Sequence, residues 1–128
     1  MNSLQRVLYV EDEPDIQAVA RLALEVVGGL MVKTCSSGEE ALREATAFEP
    51  QLILLDVMMP GMDGPGTLRA LRQRPSLVDV PVVFMTAKVQ PQEVSSYTAM
   101  GALGVIAKPF DPMTLATQVR GLWGEHHA

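Results

Sequence analysis

The sequence predicts one α/β domain: five β-α units forming an open, parallel, doubly wound sheet between two helical layers. Three observations carry this. Apolar runs of strand length at 7–10, 52–55, 82–85 and 105–107, with a mixed run at 31–35, alternate with segments of helical periodicity. The four main runs are apolar throughout, as expected of strands covered on both faces by helices. That arrangement requires parallel strands with right-handed crossovers. A chain of 128 residues has room for one such core and no more.

The elements follow in order. Pro14 stands where the first turn of a helix tolerates proline, Ile16, Ala20, Ala23 and Val27 recur at helical spacing, and Gly28-Gly29 ends the helix. The run at 31–35 is less apolar and belongs at a sheet edge. Ser37 and Glu40 stand at capping-box spacing before a second helix whose apolar face is Ala41, Leu42, Ala45 and Phe48. Pro50 leads into the strand that ends at Asp56. Residues 58–66, dense in Pro, Gly and Asp, read as a loop. A third helix carries Leu68, Leu71 and Arg72 and ends near Arg74-Pro75; Pro81 opens the fourth strand. Residues 91–100 give a fourth helix, stopped by Gly101. The fifth strand runs into Lys108-Pro109, and Asp111-Pro112 begins a last helix through Leu115 and Val119 to about Leu122. The domain therefore spans 5–123, with a short C-terminal tail at 124–128.

Composition excludes several classes. An apolar fraction of 48% argues against disorder. No apolar stretch approaches a membrane span, and the first residues lack the pattern of a secretory signal, so a cytoplasmic location is expected. A net charge of -5 disfavours direct nucleic-acid binding, and Arg69, Arg72 and Arg74 read as a solvated helix face. Cys35, the lone cysteine, reads as a small half-buried hydrophobe. His126 and His127 read as tail residues, not a metal site.

Five residues stand just past the ends of the apolar runs: Glu11, Asp12, Asp56, Thr86 and Lys108. An open α/β sheet binds ligands beyond the carboxyl ends of its strands. Carboxylates gathered there repel one another unless something positive joins them. Magnesium fits, because it prefers hard oxygens and needs only one or two protein carboxylates beside a phosphate. Zinc does not, since no His or Cys lies near these strand ends. Asp56 ends the most hydrophobic run and can attack phosphorus as a nucleophile, giving an aspartyl phosphate. Lys108 would pair with one phosphoryl oxygen and the Thr86 hydroxyl would bind another.

The segments at 7–13, 54–64, 81–87 and 107–110 together make the chain resemble the receiver domain of two-component response regulators, over about residues 5–123. The resemblance implies a (βα)5 flavodoxin-like fold with strand order 2-1-3-4-5, an order for which a receiver is itself a standard example. It also implies a phosphoprotein of a phosphorelay. Asp56 would be the phosphoacceptor, Asp12 the direct magnesium ligand, Glu11 a ligand through water, and the Met58 carbonyl a further ligand. Thr86 and Lys108 would engage the phosphoryl group. The donor would be a phosphohistidine on a sensor kinase or phosphotransfer protein, and no external substrate would be turned over. The chain would act as a monomer or a phosphorylation-promoted dimer on an unknown downstream protein.

One position departs from the family pattern. Where many receivers carry an aromatic three residues before the lysine, this chain has Val105; Tyr97, on the fourth helix, reads first as a packed or surface aromatic, with partial substitution for the missing ring as the alternative. Thr86, Val105 and Tyr97 together mark the expected output face. Met58 and Lys88 stand two residues after Asp56 and Thr86, positions that in receivers flank the route of hydrolytic water, so the resemblance implies a longer-lived phosphoryl group than in the fastest chemotaxis-type receivers. A phosphohydrolase would want an acid where Met58 stands. The remaining alternative is a constitutive, pseudo-receiver-like interaction module. A stand-alone regulator is the expectation, with an excised receiver the other possibility.

Overall fold

The computed structural model describes residues 3–126. The chain alternates β1 (Arg6–Val10), α1 (Pro14–Leu22), β2 (Met31–Cys35), α2 (Gly38–Phe48), β3 (Leu52–Asp56), α3 (Gly64–Leu71), β4 (Val82–Thr86), α4 (Pro91–Ala99), β5 (Gly104–Ala107) and α5 (Leu115–His126). All strand pairs are parallel, in the order β2-β1-β3-β4-β5, with β2 at the edge. The fold class and strand order are those expected.

Strand alternation sorts the core into two halves. Val7, Tyr9, Leu52, Leu54, Val83, Met85 and Ile106 pack against Ala20, Leu24, Leu115 and Val119, so α1 and α5 cover this face. Leu8, Val10, Ile53, Leu55, Val82 and Phe84 pack against Ala41, Ala45, Leu68 and Leu71, so α2 and α3 cover the other. β3 and β4 are buried at every position. Each large aliphatic side chain buried this way stabilises the fold by roughly 1.5–3 kcal/mol relative to exposure. That is why the apolar runs were legible as central strands.

Helix ends follow local chemistry. Ser37 Oγ accepts from the Glu40 N–H at 3.0 Å at the head of α2; Glu40 Oε1 reaches back to the Ser36 N–H, at 2.7 Å, one residue outside the expected capping box. Asp63 caps α3 by accepting from the Gly66 N–H at 2.8 Å.

Two expectations need correction. Val27 is 49% exposed, and Leu24 takes the inward place. The helix begun at Pro14 continues as a π-helical segment, Ala23–Val27, closed by Gly28 N–H donating to Ala23 O. That wider turn shifts the phase of the apolar face. The last helix starts later and ends later than expected. Asp111 Oδ1 accepts from the Met113 N–H at 2.9 Å and holds a turn first, so α5 begins at Leu115. Buried Trp123 carries the helix on to His126, so Gly124, Glu125 and His126 are helical and not tail. His127 lies outside the described residues. Gly28 permits the α1–α5 contact: a Cβ there would stand 2.5 Å from the Ala116 Cβ.

Candidate functional site

Register brings the polar strand ends to one level. Val10 pairs with Leu55, Asp56 with Met85, and Thr86 with Ala107. Glu11 and Lys108 follow directly on β1 and β5. Glu11 is fully buried and Asp56 is 3% exposed. Lys108 Nζ joins them, donating at 2.9 Å to Glu11 Oε1 and at 2.9 Å to Asp56 Oδ1. Glu11 Oε2 accepts from the Glu13 N–H at 3.2 Å.

Three carboxylates converge beside this lysine. Oxygen atoms of Glu11, Asp12 and Asp56 lie within 4.8 Å of one another. Asp12 Oδ1 is buried and lacks a hydrogen-bond partner among the described residues. A carboxylate oxygen left so is costly unless a cation meets it. A set of hard oxygens with one unpaired member is compatible with magnesium.

The electrostatics agree with crowding. The Asp56 carboxyl stands at about 6 against its ordinary 3.8: burial is the main push upward, the Lys108 bond and charge pull it down, and the charges of Glu11 and Asp12 add to the rise. For Lys108, burial works against the charge, but the bonds to Glu11 and Asp56 outweigh it and hold the ammonium above its usual range.

Thr86 stands apart from this group. It is buried, but its hydroxyl accepts from the Lys88 N–H at 3.0 Å. Alternation explains the separation. Glu11, Asp56 and Lys108 share the parity of Tyr9, Leu54 and Ile106, on the α1/α5 side. Thr86 shares that of Phe84, on the opposite side. Met58 lies two residues past Asp56 with its side chain 69% exposed. Val105 is half-buried on β5, and Tyr97 packs on Phe84 with ring centroids 5.2 Å apart. Cys35 is fully buried and burial pushes its thiol up to about 12, as suits an unreactive core residue. The Lys108-Pro109 peptide is cis.

Sequence reasoning missed several supports. Gln17 Nε2 donates to the carbonyls of Glu11, at 2.9 Å, and Cys35, at 3.3 Å, tying α1 to the ends of β1 and β2. Gly64 lets α3 start against the backbone of Asp56, where a Cβ would meet the Asp56 carbonyl oxygen at 2.6 Å. The Tyr9 hydroxyl lies 3.4 Å from Glu11 Oε1. Its signal was a single polar aromatic in an apolar strand, two residues before an acid and so on the same face.

The model for the response regulator receiver domain matches residues 7–120. The chain belongs to that family. A chemotaxis protein CheY4 from Vibrio cholerae superposes with a TM-score of 0.86 at 30% identity, covering 94% of this chain and 99% of that one. A putative response regulator from Chloroflexus aurantiacus gives 0.84 at 29% identity, over 95% and 99%. The alkaline phosphatase synthesis transcriptional regulatory protein PhoP of Bacillus subtilis is 35% identical over 118 residues, 92% of this chain and 48% of the relative. The receiver thus spans about half the length of the curated relatives it matches. Receiver domains are signalling modules of two-component systems that interact with histidine kinases or phosphotransfer proteins and turn over no external substrate. Among the described residues, no helix is long and apolar enough to cross a membrane.

Proposed function

We propose that this receiver, as a unit of residues 5–123, takes a phosphoryl group from a phosphohistidine onto Asp56 and thereby switches a protein-binding face. The observation that carries the reading is Lys108 shared between buried Glu11 and Asp56, next to the unpaired Asp12 oxygen. An Asp56 carboxylate oxygen attacks phosphorus, the N–P bond of the donor breaks, and the freed imidazole nitrogen takes up a proton. Asp12 would hold magnesium directly, Glu11 through water, and the Met58 carbonyl would complete the protein ligands. Magnesium, when bound, supplies the charge that lets these acids and a phosphoryl oxygen share one site. Lys108 turns from the acids to a second phosphoryl oxygen. An open groove of about 500 Å³, lined by Ile16, Val19, Ala87, Pro109 and Phe110 beside Lys108, gives a donor room to approach.

The output starts at Thr86. To bind the phosphoryl group its hydroxyl gives up the Lys88 N–H, loosening the segment that leads into α4. With Val105 in place of an aromatic, the Tyr97–Phe84 contact is the ring pair set to register that movement. Magnesium and acetyl phosphate should label the protein to one phosphoryl group per chain, acid-stable and base-labile. Asp56→Asn should abolish the label. Absence of labelling by any donor would favour the constitutive interaction module, and many turnovers per chain a phosphohydrolase.

A further inference from the structure

Tyr9 is the one hydroxyl-bearing residue of β1 and is fully buried, with its ring in the core under α1 and α5. A buried hydroxyl needs a partner, and the partner here is Glu11 Oε1 at 3.4 Å, a long contact for two oxygens. The same oxygen takes Lys108 at 2.9 Å. The two donors differ in what they are free to do. Lys108 is a flexible side chain at the mouth of the site, whereas the Tyr9 ring is fixed by packing. If Lys108 moves to a phosphoryl oxygen, Oε1 of a fully buried carboxylate keeps the tyrosine as its protein donor.

We infer that Tyr9 is a positioning residue of the metal site, its hydroxyl holding Glu11 in the orientation that serves magnesium. This rests on the magnesium reading above. Partners that orient a metal-binding group from behind typically contribute tenfold to a hundredfold in metal affinity, and the long contact puts Tyr9 at about fivefold to tenfold.

Calorimetric titration of the whole chain with magnesium chloride tests it, using Tyr9→Phe, which removes only the hydroxyl, and Leu54→Val, which loosens the same core beside Tyr9 in register. Thermal melts in chelator measure what each variant loses in stability. The expected result is a magnesium Kd raised about fivefold to tenfold in Tyr9→Phe and unchanged in Leu54→Val. An unchanged Kd in Tyr9→Phe overturns the inference. So does an equal rise in Leu54→Val, because affinity would then be following core packing. Failure of the unmodified chain to bind magnesium would overturn the metal reading as well, which separates the two failures.

Discussion

The carboxyl edge of the sheet and the face formed by α4 and β5 are built to opposite standards. At the edge, Glu11 and Asp56 are buried, share one lysine at 2.9 Å, and sit on strands buried along almost their whole length. α4 has no buried residue; it meets the core of the sheet through half-buried Tyr97, and Val105 on β5 is half-buried too. Rigidity at the edge fixes where a phosphoryl group and a cation would sit. Weak attachment of α4 leaves an element whose position a small change can bias, and such elements come from the low-stability end of a structure.

The largest test of that contrast is Lys108→Ala. It leaves two buried carboxylates without their shared cation, so the protein in chelator should lose about 3–5 kcal/mol in urea unfolding. Magnesium should restore much of the loss by occupying the acids. A loss under 1 kcal/mol would mean that the edge is far better hydrated than its burial indicates.

Next is pH. Asp56 holds its proton more tightly folded, at about 6, than unfolded, at about 3.8. Between those values the folded state binds more protons, so metal-free stability falls as pH rises through the window and is lowest above it. The swing is on the order of 3 kcal/mol. Asp56→Asn should flatten this part of the profile and unfold at higher urea at pH 7 in chelator. A profile that is the same in both proteins would sink the assignment of that window to Asp56.

On the loose face, Tyr97→Ala removes the ring that meets Phe84 and should cost about 1–2 kcal/mol, less than a fully buried aromatic would. Magnesium affinity should not change, because Tyr97 touches none of the acids. A shift in magnesium Kd would show that the two regions are already coupled without phosphate.

Legibility in the sequence divides along the same line. Strands reveal themselves when covered on both faces, so runs ending at Asp56 and Thr86 were readable, as was the edge position of the mixed run that became β2. Side-chain competition for backbone groups was not. The Asp111 turn delayed α5, and the π-helical segment turned Val27 outward, because neither leaves a mark in apolar spacing. At the candidate site, the gathering of Glu11, Asp12, Asp56 and Lys108 followed from strand ends alone. Tyr9 did not, since a tyrosine in a buried strand reads first as core. The separation of Thr86 from the acids was in fact available: counting by twos from Phe84 puts it on the other face.

The smallest effect tests where the contrast ends. Val105 is half-buried on β5, so Val105→Ala should cost only about 0.5–1 kcal/mol. Its use is in hydrogen exchange with and without magnesium and acetyl phosphate. If the signal leaves Thr86 through the segment into α4, labelling should change exchange at α4 amides and hardly at β5 amides, in the parent and in Val105→Ala alike. β5 is hydrogen-bonded along β4, with Val83 paired to Gly104 and Thr86 to Ala107, and it offers no large ring to swing. α4 has the ring and few anchors. Should β5 respond as strongly as α4, or should Val105→Ala silence α4, then valine carries the relay despite its size, and the loose helix is a follower of the strand and not the first element to move.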